Sequence, residues 1–271
     1  MSGVAWRGRA WLGDHLVLLL GLLVLLYMFL PIFVVVLMSF NDQSSRNSYT
    51  FDGFTLANWT DICAPYQLCE SLGTSLQIGL LATVLATLLG TLMAFAMVRH
   101  RFRGRSSANL FIFLPMATPE IVLGSSLLAL FVNAGLAGVL GFWTIFVAHV
   151  LFCLSFVVVT VKARLAGLDP RLEQAAADLY ANEWQTFWRV SFPLVFPGIL
   201  AAALLSFSLS FDDFIITNLN AGQEVTFPMF VWGAAQRGIP PQINVIGTVM
   251  FLVAMTVVLV GELSRRRRAA R

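Results

Sequence analysis

Three carboxylates sit where carboxylates are expensive. Glu120 lies in PMATPEIVLG, and Asp212 with Asp213 in SLSFDDFIIT, all inside long apolar runs. A charge at the centre of a bilayer costs roughly 2.5–3.5 kcal/mol on insertion scales, so such residues usually face a cavity or a partner. No lysine or arginine falls inside any of these runs to neutralise them. Two readings stand. In one, Pro119 breaks its helix, Glu120 caps the new start, and the Asp pair lies near an aqueous end. In the other, the three acids line a translocation path for a cation. Adjacent residues on a regular helix point about 100° apart. One of the Asp pair is therefore expected on the path, Asp212 ahead of Asp213, and the other at a helix break or against a sister subunit.

Other reactive residue types are sparse. The three cysteines, Cys63, Cys69 and Cys153, match no metal spacing. His15, His100 and His149 lie in separate segments. His149, between Ala148 and Val150, reads as a hydrogen-bonded core histidine rather than a proton relay. Lys162 is the only lysine and follows Val161, so there is no G-x-x-x-x-G-K phosphate loop. If ATP drives this protein, another chain binds it.

The elements that must hold these residues are membrane helices. Of 271 residues, 58% are hydrophobic and 11% charged, far too few charges for a soluble surface of this size. Apolar runs long enough to span a bilayer, about 18–20 residues, recur along the chain. The fold class is an all-α polytopic membrane protein with six transmembrane helices, at about 16–38, 74–98, 109–131, 138–161, 195–218 and 243–262. Pro31 lies inside the first, which is too long for a signal segment. Gly135, Gly138 and Gly141 read as a tight outer turn and close helix packing.

Arginine placement orients the chain. Arg7, Arg9, the four arginines from Arg99 to Arg105, Lys162, Arg164, Arg171, Arg189, Arg265 to Arg268 and Arg271 all fall on one side of a six-span layout. Only Arg46 and Arg237 fall on the other, fifteen against two. Both termini and the segment 162–194 are therefore expected in the cytoplasm. The closing arginine run reads as a solvated anchor of the last span, with no call for nucleic acid. The first outer loop, about Asn41 to Gly73, carries Asp42, Asp52, Asp61 and Glu70. It also holds Cys63 and Cys69, a candidate local disulfide in a compartment where such bonds persist.

The segment KARLAGLDPRLEQAAADLYANEWQTFWRVSFPLVFP, Lys162 to Pro197, is a polar, helix-forming island between two apolar runs. Asp169 is a good N-cap with Pro170 at the first helical position. Leu172, Ala175, Ala176 and Leu179 follow at helical spacing and make one smooth face. Asn182 with Gln185 three residues on reads as a second cap, opening a short helix through Trp184, Phe187 and Trp188. Pro193 and Pro197 mark the return to apolar sequence. Two short helices at an angle are expected.

Within this island, EQAAADLYANEWQTFWRVSFP resembles the cytoplasmic EAA loop of ABC-importer permeases. That pattern is Glu, a pair of alanines, a glycine several residues on, and later a hydrophobic residue followed closely by Pro. Glu173, Ala175, Ala176 and Pro193 fit, while Tyr180 occupies the glycine position. Three further stretches, PEIVLGSSLLALF, GFWTIFVAHVLFCLSFVVVTVKARLAGLDP and SFSLSFDDFIITNLNAG, resemble the spermidine/putrescine branch, its second permease subunit. The likeness runs from about Thr74 to the C-terminus.

The resemblance implies the importer-permease fold as a single transmembrane domain over 1–271, in a bacterial-type cell membrane. It implies a non-catalytic translocation subunit in a heterodimer with a sister permease. Two cytoplasmic ATPase subunits would bind the ATP and magnesium, and an extracytoplasmic binding protein would select the solute. The island becomes the coupling helix that docks on the ATPase. Its residues are Leu172, Glu173, Ala175, Ala176, Leu179, Tyr180, Asn182 and Pro193, with the Ala face allowing close approach and Glu173 meeting a basic or amide partner. The acids then face a polyamine-like cation, and Phe211 and Phe214 can pack its methylenes or make cation–π contacts. A permease for another small solute, a secondary cation transporter and a non-transporting scaffold are the rivals. A tyrosine at positive φ is strained by about 1 kcal/mol or more, so Tyr180 is expected at negative φ, with Ala181 and Asn182 making the turn.

Overall fold

The structure, a computed structural model, describes residues 3–45 and 50–269. Arg46 and Arg271, counted above for orientation, lie outside the described residues. The chain begins with helices α1 (Gly3–Ser39), α2 (Ala57–Thr60), α3 (Leu68–Arg99), α4 (Arg105–Ala117) and α5 (Glu120–Asn133). After a short 3-10 turn come α6 (Phe142–Ala166), α7 (Arg171–Asp178) and α8 (Glu183–Thr186). A π-helical turn, Phe187–Ser191, leads into α9 (Phe192–Asp212), followed by α10 (Ile215–Asn220), α11 (Phe227–Arg237) and α12 (Pro241–Ala269). Among the described residues, five helical runs are long and apolar enough to cross a membrane, or six if the bent pair α4 and α5 makes one crossing.

The chain divides into two compact units, Met1–Cys69 with Gly233–Arg271, and Glu70–Trp232. In the first, α1 packs along α12, with Phe29 edge-on to Phe251 at 6.3 Å. Gly247 lets α12 approach so closely that an added Cβ would lie 3.3 Å from Val35. The outer loop folds around Asn41. Its side chain accepts from the Asp52 N–H at 2.8 Å and donates to the Thr50 carbonyl at 2.8 Å. Asn58, buried on α2, donates to the Asn41 carbonyl at 2.9 Å. Phe40 stacks between Phe54 and Trp59 at 5.5 and 5.3 Å. Cys63 and Cys69 are joined in a disulfide, their Cα atoms 5.4 Å apart.

In the second unit α6 is the central helix. Val157, Val158 and Val161 on it are fully buried, packed with Val195 and Ala202 of α9 and Ala86 and Ala94 of α3. Gly90 permits the α3 approach, because a Cβ there would meet Val157 at 2.6 Å. Lys162 caps the contact between α6 and α4 by donating to Asn109 at 2.6 Å.

Two expected spans are corrected. The span expected over about 109–131 is two half-helices, α4 and α5, bent by 109° at the break read at Pro119, with Glu120 at the new start. Thr118 precedes proline, which pushes it out of the helical region, and it is extended at ψ 132°. Its N–H and hydroxyl both turn back to the Leu114 carbonyl, at 3.0 and 2.7 Å. The fifth span, expected over 195–218, is a helical run from Glu183 to Asp212 that stops at Asp213. Pro193 stands in the first turn of α9, where its missing N–H is tolerated. The π turn ahead of it, closed by Phe192 N–H to the Phe187 carbonyl, absorbs the mismatch. So the short helix read from Asn182 is the start of a long one, and α8 is not a separate element of the island.

The third cysteine, Cys153, is buried and free. Thiol counting on unreduced, denatured protein is therefore expected to find one reactive group, and three after reduction. Three before reduction would exclude the Cys63–Cys69 bond.

Candidate functional site

Glu120 opens α5, Asp212 ends α9 and Asp213 leads into α10, and α5 and α10 bring these ends near one another. α5 and α10 run side by side: the Gly124 carbonyl accepts from Asn220 Nδ2 at 3.2 Å, and a Cβ on Gly124 would lie 3.1 Å from Ile216 Cα. Glu120 is in the first turn of α5, one turn before Gly124. Asp213 stands two residues before α10, one turn before Ile216 and Thr217. This pairing brings the start of α5 near the α9–α10 junction that carries Asp212 and Asp213. Carboxylates at helix N-termini are favoured by the dipoles and the free N–H groups there.

The acids differ in what surrounds them. Asp213 is buried and fully engaged. One of its oxygens accepts from the Thr217 N–H at 2.7 Å and from the Thr217 hydroxyl at 2.8 Å, and the other from the Ile216 N–H at 3.4 Å. From one residue before the N-cap, Phe214, it satisfies N–H groups of the first turn of α10. His149 on α6 closes the cluster, with Nε2 at 2.8 Å from Thr217 Oγ1 and 3.4 Å from Asp213, and Nδ1 at 2.7 Å from Ser210 Oγ. The recess beside it, between Ser75, Phe211 and Thr226, is too tight to admit a water molecule. Glu120 and Asp212, by contrast, are exposed on the chain. Phe214, half-buried next to them, tilts against Trp232 at 5.2 Å.

Sequence reasoning placed His149 in the core but did not pair it with Asp213. Nothing local could have done so, because the two are brought together only by α6 packing on α9 and α10. One clue was present: a lone histidine and an unpaired acid at similar membrane depth.

The island is built as its caps require except at the first, with three further corrections. From one residue before the N-cap, which is Pro170 rather than Asp169, Asp169 Oδ1 accepts from the Arg171 N–H at 2.9 Å. Asn182 and Gln185 exchange side-chain-to-backbone bonds at 2.8 and 3.1 Å. The face read as continuous is split, however. Ala176 is buried against the rest of its unit, while Leu172, Ala175 and Leu179 are exposed, Leu179 at 81%. An Ala176→Arg change would thus disturb the island itself before any partner. Glu173 is not presented outward either. It pairs with Arg99 at the end of α3 and accepts from the Ser191 hydroxyl at 2.5 Å.

The third correction is Tyr180, whose φ is +59°. It ends α7 as a glycine would: its N–H reaches the Ala177 carbonyl at 2.9 Å, and the Ala181 N–H reaches the Ala176 carbonyl at 3.0 Å. These two bonds form the reverse turn that closes many helices. Each contributes about 0.5–1.5 kcal/mol, enough to hold a tyrosine in a conformation that costs about 1–2 kcal/mol. The ring is 97% exposed, so nothing adds a clash. The expectation counted the strain and left out the bonds that oppose it.

With this geometry in view, comparison with known proteins is informative. Residues 86–269 match the family described as the inner membrane component of binding-protein-dependent transport systems. The chain is 34% identical over 241 residues to the spermidine/putrescine transport system permease protein PotC of Escherichia coli K12, covering 89% of this chain and 90% of that one. It is 34% identical over 240 residues to the putrescine transport system permease protein PotI of the same organism, covering 86% and 84%. Its fold resembles a chain of a bacterial ABC transporter that imports the acidic polysaccharide alginate, with TM-score 0.63 at 17% identity, covering 96% and 97%. The chain belongs to the family of inner-membrane components of binding-protein-dependent transport systems. It is a multi-pass permease subunit of an ABC importer.

Replacing Tyr180 with glycine is expected to stabilise the island, since glycine adopts positive φ freely. Extra chain entropy in the unfolded state returns part of the gain, leaving about 0.5–1 kcal/mol. The midpoint of thermal unfolding in detergent should rise. A lower midpoint would show that the exposed ring contributes more than its backbone costs.

Proposed function

We propose that this permease passes polyamines such as spermidine and putrescine into the cell. The observation that carries the reading is the placement of Glu120, at the start of α5, beside the junction where α9 ends at Asp212 and Asp213 leads into α10. Two of the three remain exposed to meet an ammonium group, while the third holds the helix break. The relatives named for spermidine and putrescine transport support the same class of solute. Carboxylates satisfy the spaced ammonium groups, and Phe214 beside them offers a face for methylenes or a cation–π contact. The path binds weakly, since a tight site would retain the solute, and selection belongs to an extracytoplasmic binding protein.

The partners follow from the same reading. A sister permease completes the path in a heterodimer. Two ATPase subunits carry the ATP and magnesium and dock on the island, where Leu172, Ala175, Leu179, Tyr180, Trp184 and Trp188 leave an apolar and aromatic surface exposed. The arginine bias, fifteen against two, supports cytoplasmic termini and a cytoplasmic island.

Two outcomes test this. In purified complexes reconstituted with their binding protein, Glu120→Gln and Asp212→Asn should each lower polyamine uptake by roughly tenfold or more, the value of a charge-assisted hydrogen bond. Normal uptake by both variants would sink the acidic path. Separately, Leu179→Glu should strip the ATPase during purification while the permease still inserts, because a buried unpaired charge is costly at an apolar contact. Full retention of the ATPase would remove the island from the docking surface.

A further inference from the structure

We propose that Arg99, Glu173 and Ser191 form a latch that carries movement of α7 into α3 and α9 together, with Glu173 a positioning residue rather than a contact for the ATPase. Three elements of one compact unit converge here. α7 supplies Glu173, the last residue of α3 supplies Arg99, and the π turn at the head of α9 supplies Ser191. One carboxylate oxygen, Glu173 Oε1, takes both the Arg99 guanidinium and the Ser191 hydroxyl. The ion pair is about three-quarters buried, with 26% and 28% of its side chains exposed, and Ser191 is buried. A charge pair at this burial holds its geometry and is screened less than a surface pair.

A second contact ties the same elements. Phe95, one turn before Arg99, meets Phe187 of the π turn edge-on at 5.3 Å. The end of α3 and the head of α9 therefore move as one block, and Glu173 is the charged link from that block to α7. Ala176, one turn on, is buried on the same inward side. The outward side of α7, with Leu172, Ala175 and Leu179, is separate from these groups. A partner pressing on the outward side meets Leu172, Ala175 and Leu179 and displaces Glu173 with the helix.

The proposal rests on the reading of α7 as the docking helix, and the experiment separates the two. Arg99→Glu, Glu173→Arg and the double exchange are made in the full complex, and three quantities are read: permease in the membrane, ATPase retained on purification, and polyamine taken up per ATP hydrolysed. The expected result is that each single change keeps the ATPase bound but lowers uptake per ATP by roughly tenfold, within the range for a coupling residue. The double exchange should recover most of it, because the pair is restored with its signs reversed. Glu173→Gln, which keeps the Ser191 bond and loses the charge, should fall between. A double exchange no better than the singles, with normal permease levels, overturns the latch. So does loss of the ATPase from Glu173→Arg that the double does not restore, since that outcome makes Glu173 an interface contact. Should the double exchange fail to insert, Glu173→Gln decides: uptake per ATP at the unmodified level overturns the proposal. Retention of the ATPase by Leu179→Glu strikes the docking reading alone, leaving Arg99 and Glu173 as a static brace to be judged by the exchange.

Discussion

Inside hydrocarbon, an unpaired backbone group has no water to turn to, and each one left open costs several kcal/mol. That constraint governs this chain, because its helices are broken at membrane depth in two places. At Pro119, α4 is closed by Thr118, whose N–H and hydroxyl both donate to the Leu114 carbonyl. At Asp213 the opening N–H groups of α10 are taken up by the carboxylate. Each break must bring its own polar residue, and each polar residue then needs company. His149 supplies it for Asp213, and Asn220 ties α10 to the Gly124 carbonyl of α5. The acids are thus not strewn along the spans. They stand where helices end or restart, and the exposed members of the group are available only because the buried one secures the break.

The island obeys the opposite balance. It is polar and largely exposed, and its shape is set by local bonds. The Asp169 bond to the Arg171 N–H, the reciprocal pair of Asn182 and Gln185, and the two turn bonds around Tyr180 fix a helix, a reversal and a second helix within about twenty residues. The position where the resembled pattern has glycine is left-handed here, although the residue is tyrosine. Glu173 and Ala176 face inward and Leu172, Ala175 and Leu179 outward, so one short helix serves two surfaces.

Membrane class, span count within one and the reciprocal cap of Asn182 with Gln185 were legible in the sequence because each is a local property. The Cys63–Cys69 pairing was readable as a candidate for the same reason. The two breaks were half legible. Pro119 was visible as a stop, yet a hydropathy run hides a 109° bend, since both half-helices are equally apolar. The start of α9 was misplaced because Pro193 looks like punctuation when the π turn that accommodates it has no residue signature. The partners of His149 and Glu173 were out of reach. They lie 64 and 74 positions away in the chain, a distance closed only by helix packing.

The π turn at Phe187–Ser191 has a geometric consequence of its own. A wide turn holds one residue more than the regular ladder, so everything beyond it is re-phased by about 100° relative to an unbroken helix. The lipid face and the inward face of α9 are therefore dialled by that single surplus residue. Its loss would leave composition and span length almost untouched while swinging Val195, Ala202, Ser206 and Ser210 out of the interior they now fill. Length variation at this point of the chain is thus far less tolerable than substitution, although neither neighbour of the turn carries any chemistry.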